Sequence, residues 1–541
     1  MSDQNPAPTP TTFQIRLPLL LAATLAVGMF IGQKLPRYDA HVRLLSGQTA
    51  HEGTLDEILR YVEAKYVDSV DVSMLKEDAI ASVLDLLDPH SLYISPEERK
   101  AIDDEMHGGF EGVGIEYVMV DDTMQVVEPL PDGPAEKAGV LAGDRIVKID
   151  DTQVAGVKMD TDQMFKRLRG ATGSPVKLSI RRNAEAALRD ITLARDLIPV
   201  HSVQAAYMLD ERTGYIKVSR FNSNTYEEFM AGLRPMAEEQ GLQDLVIDLR
   251  SNPGGYLEEA TEMLSQVFPE GKLLVYTKGR TDARKDYKSS GRARFNIQHV
   301  AVLIDENSAS ASEIVAGAVQ DHDRGWVVGR RSFGKGLVQE QYPLSDEGAL
   351  RLTIARYFTP SGRCIQRDYK HGQDYDHEAE RRLENGELSD ATKVRHADST
   401  RFYTGLGRIV YAGGGVTPDV FIPIDTSFSN DYYIALRRHL PQFASRWMEG
   451  RDRATFPGTV QDFVKNYTVG DDALDAWAAY AEKEGVKRNA AQFAASRAEL
   501  QLQLKARIAK LLFKDEGLYR VLNDDDPAVD QAVAVMRKPL K

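Results

Sequence analysis

His299-Val300-Ala301-Val302-Leu303-Ile304, then Asn307-Ser308-Ala309-Ser310-Ala311-Ser312-Glu313, then Ile314-Val315-Ala316-Gly317-Ala318-Val319, is the stretch on which the reading of this chain turns. The first run is apolar and has the length of a buried strand, and the segment from Glu313 to Val319 reads as a helix. Ser310 therefore stands where strand becomes helix. Free N–H groups and the positive end of the dipole at a helix start favour negative charge developing beside its oxygen. Further along, Ser332-Phe333-Gly334-Lys335-Gly336 and Gln339 offer an amine to act as base. An ordinary lysine is charged at neutral pH. A useful catalytic lysine has a pKa of roughly 7 to 8 against about 10.4, so its surroundings must disfavour the ammonium by about 3 to 5 kcal/mol. Gly334 and Gly336 allow close backbone approach, and Leu337-Val338 begins a buried strand. Gln339 is four positions beyond Lys335, so in an extended chain both side chains face the same way. Its amide oxygen orients the amine without adding a full charge.

Working outward, Leu245 to Leu249 reads as a strand, Asn252-Pro253-Gly254-Gly255 as a turn, and Tyr256 to Val267 as a helix. This turn is the expected second wall of the site. N–H groups of Gly254 or Gly255, together with that of Ala311, would face the oxygen of a tetrahedral intermediate. Tyr215 to Val218 reads as another strand and Thr225 to Glu239 as another helix, which makes residues 197–425 an α/β layered core.

At this point the chain resembles the carboxyl-terminal processing proteases of the S41 serine peptidase family. The Ser-Ala-Ser-Ala-Ser-Glu run (308–313), Phe333-Gly334-Lys335-Gly336 and Gln339 carry the resemblance. So do Asp88-Pro89-His90-Ser91, Asp248-Leu249-Arg250-Ser251-Asn252-Pro253-Gly254-Gly255, Thr359-Pro360-Ser361-Gly362-Arg363 and Gly415-Val416-Thr417-Pro418-Asp419-Val420. The resemblance implies a Ser310–Lys335 dyad joined by Gln339, an oxyanion hole, a crotonase-like ββα core and a regulatory PDZ domain. It implies no cofactor and no metal.

Residues 108–196 change to short strands and glycine turns and resemble that PDZ domain. Gly112-Val113-Gly114-Ile115 stands at its carboxylate-binding loop, and Pro134 to Ile146 matches the helix and strand that follow. Glycines there let successive N–H groups converge on a peptide carboxylate while the ligand adds a strand to the sheet edge. The expected partners are protein or peptide substrates with free C-termini, with an adaptor protein as a further candidate.

The rest of the chain follows by composition. Residues 1–16 form a polar tail. Residues 17–33, LPLLLAATLAVGMFIGQ, carry no charge and read as a membrane anchor or signal segment, at the lower limit of the roughly 17 to 25 residues that span a bilayer. This sets the expected location on the periplasmic side of a bacterial inner membrane. Residues 50–107 read as a helical region, with stripes at Leu55, Ile58, Leu59, Val62 and at Ile80, Val83, Leu84, Leu87. Residues 366–409 are a polar insertion expected as solvated loop. Its His371, His377 and His396 form no recognised ligand spacing. Residues 426–541 read as a helical C-terminal domain that packs either on its own core or on a second subunit as a homo-oligomer.

At 541 residues the chain suggests about three or four domains. Its net charge of −14 and the absence of a Lys/Arg-rich run argue against nucleic-acid binding. Cys364 is the single cysteine, so no intrachain disulfide forms. Neither a Gly-x-Ser-x-Gly elbow nor a His-Glu-x-x-His helix occurs. A His299 or His322 triad is disfavoured, since His322 lies at the far end of the helix that Ser310 begins. Two other readings stand beside the endopeptidase: a non-catalytic peptide-binding scaffold that keeps the fold, and an acyl-CoA enzyme of crotonase architecture.

Overall fold

A computed structural model describes residues 53–120, 122–130, 133–182, 187–281, 283–369, 375, 377–395, 398, 400–448 and 451–540. The apolar segment 17–33 lies outside them. Among the described residues no helix is long and apolar enough to cross a membrane. They fall into two compact units, one ending at Ile80 and the other beginning at Ala81. The first holds the helix Thr54–Lys65, of whose apolar stripe Leu59 is buried while Leu55 and Ile58 are 48% and 52% exposed.

The second unit is built on a six-stranded sheet in the order Val203–Met208, Thr213–Val218, Asp244–Asp248, His299–Ile304, Trp326–Gly329, Val420–Phe421. The first pair is antiparallel and the others are parallel. Parallel strands need crossover connections, and with helices on both faces of the sheet these strands read as unbroken apolar runs. One face carries the helices Thr225–Glu238, Leu257–Leu264 and Ala311–Asp321, with Ile247, Val300 and Val302 against Leu233, Ile314 and Val319. The opposite face is closed by the last helix, Pro527–Met536, whose Val529, Ala532, Val535 and Met536 pack with Val246, Ala301, Leu303 and Val328.

A second, antiparallel sheet is organised by the strand Ala349–Phe358. It pairs with Leu337–Pro343 along most of its length, with Leu92–Ile94 at its start and with Leu273–Gly279 at its end. The chain thus has the mixed α/β core expected from its strand-turn-helix repetition. The domain expected over 108–196 is a separate sheet in the order Ile115–Val120, Thr123–Pro129, Arg145–Ile149, Pro175–Arg181, Arg189–Ala194. Its entering and leaving chains, Gly109–Gly112 and Asp196–Pro199, pair with each other and form the stem of the insertion.

Two expectations are refined. The helices after residue 430 have a core of their own, centred on Leu474, Trp477, Leu500, Leu504 and Ile508, all fully buried. The insertion 366–409 is not simply solvated loop. It holds a helix, Glu378–Glu384, and buries Arg367, Arg382 and Glu387. Arg382 donates to Arg331 O (3.0 Å) and Ser332 O (2.9 Å), and Glu387 takes a bidentate pair from Arg331 at 2.7 and 2.8 Å. Charged composition misled here because the charges pair with one another inside. His377 contacts Glu380, His371 and His396 lie outside the described residues, and no metal-holding cluster occurs among the described residues.

Trp477 stacks on Phe443 at 6.1 Å between centroids, and its indole N–H is buried without a partner among the described residues. Trp477→Ala should lower the stability of the helical region by about 3–5 kcal/mol. Trp477→Phe, which gives up no hydrogen bond, should cost far less. Denaturant midpoints by circular dichroism check the pair; equal losses would contradict the packing.

Candidate active site

Ser310 is the residue before the helix Ala311–Asp321, with φ 56° and ψ −114°. A non-glycine residue there is strained by about 1–3 kcal/mol and needs its surroundings to hold it. Those surroundings centre on Glu313, which is fully buried. Its Oε2 accepts from the backbone N–H of Ser310 and of Lys335, each at 2.9 Å. Its Oε1 accepts from Gly334 N (2.7 Å) and from Ser332 Oγ (2.5 Å). One carboxylate oxygen therefore ties the main chain of the serine to that of the lysine. The Tyr357 hydroxyl does the same from the other side, donating between Lys335 O (2.7 Å) and Ser310 O (3.1 Å). Glu313 was visible only as the last letter of a motif; nothing in its spacing announced this role.

The electrostatics follow from burial. Lys335 is lowered to about 8, by desolvation first and then by the positive Arg351, while Glu313 and Asp88 pull it back up. Glu313 is pushed up to about 7 by burial, against the four hydrogen bonds that favour its charge. His90 is lowered to about 4 by burial and by Lys335, and its Nε2 lies 2.8 Å from the Tyr375 hydroxyl. It is thus a neutral neighbour of Lys335, carried by the Asp88-Pro89-His90-Ser91 segment. The Asp88 carboxylate accepts from the N–H groups of His90 and Ser91 and from the hydroxyls of Ser91 and Thr353.

Gln339 lies on the strand that follows Lys335. Lys335 precedes the strand Leu337–Pro343, and the pairing register shifts between Val338 and Gln339. Gln339 Nε2 donates to Thr353 Oγ1 (3.2 Å), which donates to Asp88 Oδ1 (3.0 Å). The amide is joined to the group whose charge acts on Lys335.

The Asn252–Gly255 turn lies against the serine. A Cβ on Gly254, whose φ is 101°, would come within 2.7 Å of both Ala309 O and Ser310 Cβ, so only glycine fits. The Gly254 N–H is not free for an oxyanion, because it donates to Asn252 Oδ1 at 2.8 Å. Gly255 differs. It bridges Phe221 in parallel through its neighbours, Gly254 O and Tyr256 N, which turns its own N–H away from Phe221. Ala311 opens the helix, where the first N–H groups lack intrahelical acceptors. Beneath the turn, Asp248 is held well below the usual carboxylate range: burial opposes its charge, but Arg250 and Lys217 outweigh it.

The histidines weighed as triad members are engaged elsewhere. His322 Nε2 donates to Leu273 O (2.6 Å), and His299 pairs with Asp244 (2.7 Å). In the inserted domain, Gly112 ends the stem strand and Ile115 starts the strand Ile115–Val120 at the edge of the sheet. Between them Gly114 has φ 74°, and the carbonyls of Val113 and Gly114 accept from Ala135 N and Leu130 N. Of the four loop residues Gly112 closes the stem and Ile115 enters the inserted sheet, with Val113 and Gly114 between them.

Comparison with known proteins matches residues 212–378 to peptidase family S41, residues 125–182 to the PDZ domain, and residues 432–514 to a family of unknown function (DUF8443). The carboxy-terminal-processing protease of Bartonella bacilliformis is 40% identical over 321 residues, which cover 57% of this chain and 71% of that protein. The carboxy-terminal processing protease CtpB of Bacillus subtilis is 34% identical, over 58% of this chain and 65% of that protein. Among solved structures, the photosystem II D1 C-terminal processing protease is 27% identical with a TM-score of 0.36, over 68% of this chain and 92% of that one. The S41 match contains Gly254, Gly255, Ser310, Ala311, Lys335 and Gln339; the PDZ match begins after Gly112–Ile115.

Glu313→Gln keeps the side chain's shape but, in either orientation, sets an amino group against two of the four donors. Each buried donor left unpaired costs about 1–3 kcal/mol. The variant should melt at lower temperature, with faster hydrogen exchange at the Ser310 and Lys335 amides. Unchanged exchange at both would show that the carboxylate does not hold them.

Proposed function

Because this chain belongs to peptidase family S41, as a carboxy-terminal-processing serine protease with a PDZ domain, we propose that Ser310 is its nucleophile and Lys335 its general base. The observation that carries this reading is the Glu313 carboxylate oxygen shared by the N–H groups of Ser310 and Lys335. In this mechanism the neutral Lys335 amine takes the Ser310 proton as the serine oxygen attacks the scissile carbonyl. The resulting oxyanion is met by the N–H groups of Gly255 and Ala311, helped by the dipole of the helix behind Ser310. The Lys335 ammonium then returns its proton to the leaving amine, and water hydrolyses the acyl-serine by the same base. Gln339 acts at one remove, through Thr353 and Asp88.

Substrate capture is assigned to the inserted domain. Its strand Ile115–Val120 is at the end of the sheet order, and Gly112–Ile115 leads into it. A substrate tail would add there as a further strand with its carboxylate at the loop. The uncharged segment 17–33 supports an extracytoplasmic, membrane-tethered location.

In a peptide-hydrolysis assay, Ser310→Ala and Lys335→Ala should each abolish turnover with folding intact; activity in either purified variant would refute the dyad. With Lys335 lowered to about 8, the ammonium form dominates below that pH and cannot accept the serine proton. The value of kcat/KM should therefore fall about tenfold per unit as pH drops below about 8, and level off above it. A profile flat from pH 6 to 9 would contradict a lysine base.

Amidating a substrate's C-terminus removes the charge the loop would bind and should weaken turnover by the intact protein. Equal cleavage of free-acid and amidated peptides would leave the loop without that role.

A further inference from the structure

The strand Asp244–Asp248 leads directly into the turn that carries Gly255, and the last helix grips it at both ends. At its start, Asp244 Oδ2 accepts from Arg537 Nε (2.7 Å), just after the helix Pro527–Met536 has ended. At its finish, Asp248 accepts from Arg250 through Nε (3.0 and 3.1 Å) and Nη2 (2.6 Å), and Arg250 Nη1 donates to Asp526 Oδ2 (2.7 Å). Asp526 is the cap of that helix, its Oδ1 accepting from Ala528 N (2.8 Å). The helix therefore runs antiparallel to the strand with an ionic contact at each end.

The two contacts differ in what they touch. The Arg537 end lies away from the site. At the Asp526 end, the Arg250 backbone is held on both sides: its N–H donates to Asp248 Oδ1 (2.9 Å), and its carbonyl accepts from Lys217 Nζ (2.5 Å). The following Ser251 has φ 56° and is fixed by Asp305 (2.8 Å), and Asn252 then starts the turn. Arg250 uses its guanidinium for two carboxylates at once, so its position depends on both. Asp248 alone leaves Nη1 without its anion.

We propose that Asp526 is a positioning residue for the hydrolytic site: by holding the Arg250 guanidinium, the start of the last helix sets the turn that presents the Gly255 N–H. This rests on the Ser310–Lys335 reading above. It makes residues beyond the DUF8443 match part of the frame of the site.

Asp526→Asn separates the two jobs of the residue, since asparagine caps a helix as well as aspartate does but brings no charge to Arg250. With the full chain and one peptide substrate, this variant should lose about tenfold in kcat, as expected for a small misplacement of an aligned donor. KM should stay within about twofold. A peptide aldehyde, whose adduct with the serine mimics the tetrahedral intermediate, should bind about tenfold more weakly. Asp526→Glu should recover most of both losses. Arg537→Gln, at the far end of the same helix, should lower the melting temperature while kcat stays within about twofold. Asp526→Ser, a second uncharged cap, carries the same test if the asparagine variant does not fold. Wild-type kcat and aldehyde affinity in the Asn or Ser variant would overturn the proposal, as would equal kcat losses in the Asp526 and Arg537 variants. Activity in a Ser310→Ala control would instead overturn the reading on which the proposal rests.

Discussion

The carboxylate of Glu313 is the constraint on which the site depends. It is buried, one turn into a helix that is itself buried along its whole length, and both oxygens are occupied. Main-chain groups separated by more than twenty residues converge on it, so a change in either segment is felt by the other. The same burial that makes the carboxylate an effective tie also makes it a poor anion, and it lies at about 7. Lys335 is displaced the opposite way for the same reason, to about 8. Removing water from one small volume thus brings an acid and a base within reach of neutral pH without a histidine.

Several layers of structure keep that volume in shape. Arg382, from the insertion, holds the carbonyls of Arg331 and Ser332 just before the lysine segment. Arg367 is stacked between Phe333 and Tyr375, 3.7 Å from each ring centre. Gly334 packs against Gly414 and Gly415, where a Cβ would meet main chain at 3.0 Å. On the other wall Asn252 accepts from Gly254 and donates to Val218 O. Buried ionic groups of this kind are costly when a partner is missing. Their arrangement in closed sets, Arg331–Glu387 and Arg382–Glu378 among them, is what makes the insertion part of the core.

The C-terminal helices are connected to both other parts of the larger unit. Glu128, on the strand next to the edge strand of the PDZ domain, meets Arg507 (2.5 Å) and Lys510 (2.8 Å) of the long helix Arg497–Leu522. That helix breaks at Phe513 and Lys514, where φ and ψ leave the helical range. Beyond the break Arg520 stacks over the ring of Tyr207 in the first strand of the six-stranded sheet, and Asn523 donates to the Tyr207 hydroxyl (2.8 Å). The change of direction lets one element follow the PDZ domain and then the core.

What the sequence determined by itself is the local grammar. Apolar runs such as Val300–Ile304 read as buried strands and Ser310 as the residue at a helix start, because strand length and capping act within a few residues. The place of Ser310 at a helix start and the turn at Gly254–Gly255 were legible for that reason, and family resemblance grouped them with Lys335. Only the tertiary structure decided the rest. Gln339 donates to Thr353, Asn252 accepts the Gly254 N–H, and Glu313 is the tie between serine and lysine. Tertiary packing also drew the charged insertion inward and laid the last helix along the strand that leads to the Asn252–Gly255 turn. Each of these depends on contacts between residues far apart in the chain, where periodicity carries no information and the pairing of buried polar groups determines the outcome.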